Sequence, residues 1–412
     1  MKPGRFVGRE AEVRALSDEL GDVGSSRRGR FVLVRGKRRV GKSRLVEEFL
    51  RREQPPHAFF SATRGRSPQM ELKRFTQTVA DSSLKAAATV RAGASFDTWD
   101  AALGLIADVS DPGSPEVVVI DELPYLREQD PSIEGALQTA WDRHIEAASI
   151  LLIAIGSDLS MMEALTEYGR PLYGRPSRVL HLTPLSPAEV AEMLDLDPAS
   201  TFDAYTIVGG FPLLAEAWGR AADVRSFLTR ELSDSTSPLI VSGERMVSAE
   251  FPSSTQARRV LSAIGSGERT FSAISMASGV PRQSLERALD VLVRQKRVVE
   301  RTMSLSSKGA RDARYVVADP YLRFWLRFLE GGLEEVERGR GDLLVARIMG
   351  SWHEYRGKAV EPVVREAIAR LLPSERFGDA RYVGSYWTRR GDVEVDLVGA
   401  EEDVRPDRKS VV

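Results

Sequence analysis

The run Gly36-Lys37-Arg38-Arg39-Val40-Gly41-Lys42-Ser43 fits the pattern G-x-x-x-x-G-K-[ST], the phosphate-cradling P-loop. Each residue type has a physical job there. Gly36 and Gly41 let the backbone curl so that its N–H groups converge on phosphate oxygens. Lys42 offers a cation to the β- and γ-phosphates of a nucleotide, and the Ser43 hydroxyl is a ligand for Mg²⁺. Arg39, Val40 and Arg44 complete the candidate contacts to ATP in the loop and the following helix. A second group lies downstream, where Val117-Val118-Val119-Ile120-Asp121-Glu122 is an apolar run ending in two acids. Asp121 would hold Mg²⁺ directly or through water. Glu122 would orient and polarise an attacking water. The plain alternative is that both acids cap the next helix.

These side chains need a scaffold that brings them together. Phe31-Val32-Leu33-Val34 before the glycine loop and Leu45–Leu50 after it predict strand, loop, helix, the context in which a P-loop works. Further strands are predicted at 58–61, 116–120, 150–155 and 178–182, alternating with helical patterns over 67–110 and 133–148. That alternation predicts an α/β fold, a parallel P-loop sheet between helices, with ligands at the carboxyl edge of the strands. Ser186-Pro187-Ala188-Glu189 reads as a capped helix start, opening a helical bundle that runs to about 230.

The rest of the chain changes character. Residues 233–254 are rich in Ser and Pro and read as a connector. Three helical patterns and two short strands follow from 255 to 318, the order of a winged helix. Between Thr255 and Tyr315 there are 12 Lys/Arg against 5 Asp/Glu, an excess of about seven positive charges in a chain whose net charge is −1. Arg282, Gln283 and Arg287 sit at the start of the third helix, where contacts to duplex DNA would fall, and Arg294, Lys296 and Arg297 would track phosphates. The alternative is a spacer or protein contact. The aromatic stretch Asp319–Phe328 reads as a packing helix within a segment from 319 to 349.

Composition sets bounds. The chain has no cysteine, which excludes disulfides, thiolate metal sites and cysteine catalysis. Its four histidines, His57, His144, His181 and His353, lack ligand spacing. No stretch has the length of a membrane span, and a cytoplasmic location is expected.

Val7-Gly8-Arg9-Glu10, the Arg-rich P-loop and the Asp121–Glu122 pair together resemble the archaeal-type ATPases of the STAND class, relatives of AAA+ ATPases. Gly156-Ser157-Asp158-Leu159 with Pro171-Leu172-Tyr173-Gly174-Arg175 is similar to their sensor region, and Gly209-Gly210-Phe211-Pro212 to their lid motif. The resemblance implies a nucleotide switch in which Val7 and Gly8 line the adenine pocket and Ser157 is a polar sensor near the γ-phosphate. Gly210 and Pro212 would touch ATP or ADP from a lid over 185–232, behind an ATPase domain over 1–184. Arg175 lies where relatives carry an arginine finger, which acts in trans and implies a homo-oligomer on ATP binding. A surface or intramolecular salt bridge for Arg175 or Arg170 is the other reading. An unidentified protein partner is implied as well.

From 350 to 412 the chain resembles a partial restriction-endonuclease-like domain of the PD-(D/E)xK type, with Glu361 and Asp396 at two of its acidic positions. Lys409-Ser410-Val411-Val412 would lead into the strand that carries the third element. The acid-plus-lysine pair is not in the sequence, so no nuclease activity is expected, and Glu394 and Asp396 also read as ordinary strand-end acids.

Overall fold

The structure is a computed structural model that describes residues 6–219, 221–251, 255–305, 313–388 and 393–401. The chain divides into two compact units, residues 1–185 and 186–412.

The first unit runs α1 (Glu10–Ser26), β1 (Arg30–Gly36), α2 (Lys42–Glu53), β2 (His57–Ser61), α3 (Pro68–Ala80), α4 (Ala86–Arg91) and α5 (Trp99–Val109). It continues with β3 (Glu116–Asp121), α6 (Leu123–Gln129), α7 (Ile133–Arg143), β4 (Ile150–Gly156), α8 (Leu159–Ala164) and β5 (Arg178–Leu182). The five strands form one parallel sheet in the order β2-β3-β4-β1-β5. Every residue of β3 and β4 is buried, which is why these two segments read as unbroken apolar runs: central parallel strands are covered on both faces. On one face Phe60, Phe75 and Trp99 form an aromatic cluster with ring centroids 4.9–5.7 Å apart. Side-chain caps start several helices: Ser67 for α3, Thr98 for α5 and Asp158 for α8.

The strand order brings functional ends side by side. β4 pairs with β3 on one side and β1 on the other, so Asp121, Gly156 and Gly36 all finish at one edge of the sheet. Two glycines allow the close packing this needs. A Cβ on Gly36 would lie 2.4 Å from the Leu182 carbonyl oxygen, and one on Gly156 would lie 2.3 Å from the Met162 sulfur.

The second unit opens with α9 (Pro187–Leu194), α10 (Pro198–Val208), α11 (Pro212–Trp218), α12 (Val224–Glu231) and α13 (Pro238–Glu250). The capping box of Ser186 and Glu189 forms as its sequence requires. Next come α14 (Gln256–Gly265), α15 (Phe271–Ser278) and α16 (Arg282–Asp290), the last extended by a π turn over Val291–Gln295. Strands β6 (Val299–Thr302) and β7 (Arg314–Val317) pair antiparallel. Then follow α17 (Pro320–Phe324), α18 (Leu333–Glu337), α19 (Gly341–Leu371) and an antiparallel pair, β8 (Tyr382–Trp387) and β9 (Glu394–Ala400).

The local structure differs from the sequence reading in three places. The 233–254 connector contains a helix. The Ser and Pro residues start it, with Pro238 in the first turn, and Leu239, Ile240 and Val247 are buried. Its Gly243 lets the Trp325 indole lie against the helix backbone, and that indole donates to the Ile240 carbonyl at 3.2 Å. The division at 349/350 also falls inside an element, because α19 is continuous over 31 residues. Nor are the helices at 186–232 a separate body. The Tyr355 hydroxyl donates to the Thr206 carbonyl at 3.1 Å, Arg356 pairs with Asp203, and the Phe211 and Tyr321 rings meet edge to face. In the aromatic stretch at 319–328, Tyr321, Phe324 and Trp325 are fully buried.

Candidate nucleotide site

The loop between β1 and α2 adopts the backbone its residues permit. Gly41 has φ 91° and Arg39 has φ 67°, both left-handed, so the chain turns back on itself before α2 begins. Val40 is buried and anchors the loop to the core. Lys42 opens α2 with its side chain folded inward, donating to the carbonyls of Gly36 at 3.0 Å and Lys37 at 2.9 Å. It is buried, and that burial pushes its pKa down to about 8, against the raising effect of Glu122 and Asp121.

The acidic half of the site is one hydrogen-bonded chain. The Ser43 hydroxyl donates to Asp121 Oδ2 at 2.7 Å, and the Glu122 backbone N–H donates to Asp121 Oδ1 at 2.8 Å. Asp121 is buried, which raises its pKa above the ordinary carboxylate value. Glu122 takes a left-handed backbone, φ 56°, at the turn from β3 into α6. Its carboxylate accepts from the Ser157 hydroxyl at 3.0 Å, at the end of β4. Asp121 and Glu122 thus face side-chain donors of the site as well as starting α6. The Ser157–Glu122 bond was not legible in sequence, because it joins residues 35 apart across two strand ends. Only the strand order puts them together.

Val7 is buried, and Gly8 and Arg9 have φ 70° and 63°. The Arg9 guanidinium donates to the Thr183 carbonyl just past β5, which fixes this segment at the same sheet edge as Gly36. Arg38 adds a contact that the motif did not announce: it donates to the Tyr125 hydroxyl at 3.2 Å.

Other expected residues are placed elsewhere. Arg44 is exposed on α2 and pairs with Glu47 at 3.5 Å. Arg175 lies just before β5, where Ser177 N–H donates to the Phe31 carbonyl at the start of β1, so it is at the opposite sheet edge from Lys42. It forms a two-pronged pair with Asp142 at 2.7 and 2.8 Å, and Arg170 pairs with the buried Glu134 at 2.5 Å. Within one chain, neither arginine joins the site. Gly210 and Pro212 belong to the second unit, Gly210 buried and Pro212 in the first turn of α11.

In the second unit, Arg282, Gln283 and Arg287 are exposed on α16, with the Arg282 guanidinium over the Phe271 ring at 5.8 Å. Glu361 is half-buried on α19, and burial followed by the charge of Asp396 raises its pKa. Glu394 pairs with Arg314, which lowers its pKa. Among the described residues, no group of three or more His, Cys, Asp or Glu side chains could hold a metal ion. The turn at 389–392 and residues 409–412 lie outside the described residues. No helix among the described residues is long and apolar enough to cross a membrane.

Replacing Ser157 by Ala removes the hydroxyl that donates to the Glu122 carboxylate and leaves the P-loop intact. Phosphate release from ATP is expected to fall roughly five- to tenfold with nucleotide affinity unchanged, the cost of about one hydrogen bond to a charged group. An unchanged turnover number would remove Ser157 from the site.

Comparison with known proteins places this geometry. Residues 5–154 match the family model described as AAA ATPase domain. Residues 325–406 match one described as archaeal and bacterial proteins of unknown function. An uncharacterized protein of Methanocaldococcus jannaschii is 25% identical over 408 residues, covering 97% of this chain and 85% of that protein. A Walker-type ATPase of Pyrococcus abyssi superposes with a TM-score of 0.57 at 19% identity, covering 78% of this chain and 96% of that one. The ORC2 protein of Aeropyrum pernix, solved in ADPNP–ADP complexes, superposes with a TM-score of 0.52 at 14% identity, over 85% and 96% of the two chains. These likenesses concern the fold. Over residues 5–154 the first unit is therefore similar to an AAA ATPase domain, and it has the fold of an α/β P-loop sheet.

Proposed function

We propose that this protein is an ATP-binding, slowly ATP-hydrolysing switch of the STAND type, which couples its nucleotide state to the second unit. The observation that carries the reading is the hydrogen-bonded chain Ser43–Asp121–Glu122–Ser157 beside a buried Lys42. The ADPNP–ADP complexes of the Aeropyrum relative lend support to the choice of nucleotide.

A hard divalent cation suits this donor set. Asp121 is buried with both oxygens already accepting, one of them from a hydroxyl that is itself a suitable ligand. Ser43 and Asp121 would hold Mg²⁺, which when bound neutralises phosphate charge. The chain's own groups do the rest. P-loop N–H groups and Lys42 bind the phosphates. Glu122, steadied by Ser157, takes the proton of the water whose oxygen attacks the γ-phosphorus as the bond to the β–γ bridging oxygen breaks and ADP leaves. Steady-state phosphate release tests the reading: turnover with ATP and Mg²⁺ is expected, and its loss on adding EDTA. Turnover that persists in EDTA would contradict a cation held by Ser43 and Asp121.

A second reading rests on the exposed Arg282, Gln283 and Arg287 at the start of α16, beside the β6–β7 ribbon. We infer that residues 255–318 form a winged helix that contacts duplex DNA, with ATP binding as an allosteric input. Duplex binding is expected to weaken steeply with salt, and Arg282→Ala with Arg287→Ala to reduce it about tenfold or more. Absence of binding at low salt would overturn it.

A further inference from the structure

A second polar site lies far along the sequence from the P-loop, inside the second unit. A cavity of about 120 Å³ opens where α14, β7, α17 and α19 meet. Four cations line it: Arg269, Arg323, Arg327 and Lys358. One acid lines it, Glu354, and that acid is taken by Lys358 at 2.7 Å. Among the described residues, Arg269, Arg323 and Arg327 form no ion pair. Glu300, Asp319, Glu361 and Glu394 act on Arg323 or Arg269 only at longer range.

Arg323 is the floor of this site. Its Nε and Nη2 donate to the Val317 carbonyl at 3.0 and 2.8 Å, and its Nη1 to the Ala359 carbonyl at 3.2 Å. Those bonds fix the plane of the guanidinium between β7 and α19. They use three of its five N–H donors and supply no negative charge. Burial lowers its pKa, as it does for a cation without a counter-ion. Arg327 is exposed at the mouth, held by the Ser266 carbonyl. Unmatched positive charge gathered in a cavity is costly unless an anion joins it. The remaining lining is apolar and aromatic, including Ile264, Tyr315, Phe328 and Tyr355.

We propose that this cavity binds a small molecule carrying a phosphate group on an apolar or aromatic body. Three unmatched guanidinium groups balance a phosphate dianion better than a single carboxylate, and planar forked donors suit its oxygens. The cavity joins the three-helix segment to α19, so an occupied site would tie those elements together.

The test is isothermal titration of phenyl phosphate, and separately of inorganic phosphate, into the full chain carrying Lys42→Ala, which disables phosphate capture at the P-loop. One-site binding is expected, tighter for phenyl phosphate, and weakened at least tenfold by Arg269→Gln with Arg327→Gln. Arg327→Gln alone, at an exposed position, is expected to weaken it about threefold or more, which covers the case in which the double variant does not fold. Arg225→Gln with Arg338→Gln removes the same charge from exposed positions outside the cavity and is expected to change nothing. No binding in the Lys42→Ala chain, or an equal loss from this surface pair, would overturn the proposal.

Discussion

Glu122→Gln is expected to lower steady-state phosphate release at least a hundredfold while ATP still binds. The substitution keeps the shape, and the amide oxygen can still accept from Ser157, which donates at 3.0 Å in the parent chain. It removes the carboxylate to which the proposed function assigns the proton of the attacking water. General-base catalysis is worth roughly 10²–10⁴-fold, so the loss should sit in kcat and leave nucleotide affinity in place. The backbone N–H of residue 122 still donates to Asp121, because that bond does not depend on the side chain. Phosphate release beside equilibrium binding of a fluorescent ATP analogue checks both halves. Equal turnover in the variant would sink the assignment of Glu122.

Lys42→Met should do the opposite to binding and to stability. ATP affinity is expected to fall roughly a hundredfold, since a charge-assisted contact to phosphate is lost. Yet the nucleotide-free protein should become more stable near pH 7. Lys42 is buried, and its pKa is lowered from 10.5 to about 8. The unfolded chain therefore holds this proton more tightly than the folded one. Below pH 8 folding carries the full cost of a buried charge, on the order of 3 kcal/mol, offset in part by the bonds to the Gly36 and Lys37 carbonyls. As pH rises from 8 towards 10.5 the cost disappears. The stability advantage of the variant should thus shrink over that window, measured by denaturant unfolding at several pH values. A variant less stable than the parent at pH 7 would show that the two carbonyl bonds outweigh the burial of the charge. The same linkage predicts proton uptake when ATP binds near pH 8, readable by calorimetry in buffers of different ionisation heat.

How much of this could be read from residues alone depends on the range of the interaction. The P-loop was legible because its chemistry is local: eight consecutive residues dictate a turn, and Gly41 takes the left-handed backbone that turn demands. The central strands were legible because a strand buried on both faces reads as a near-continuous apolar run, as residues 117–120 of β3 and the whole of β4 do. The helix over Pro238–Glu250 was not, because Ser and Pro at its start mask an apolar segment whose backbone carbonyls accept from Tyr321 and Trp325, more than 80 residues away. Short helices such as α6 and α8 carry too few turns for a period to show.

The sequence by itself determined the phosphate loop, the two acids at the end of β3 and the α/β alternation, since each follows from backbone freedom or from burial along one continuous segment. Tertiary structure decided what those residues meet. Strand order set Ser157 on Glu122, and Asp142 claimed Arg175 at the far edge of the sheet. Packing of four separate elements gathered Arg269, Arg323, Arg327 and Lys358 around one cavity. Contacts between residues distant in sequence depend on which strands and helices become neighbours, and that choice is made by the whole core.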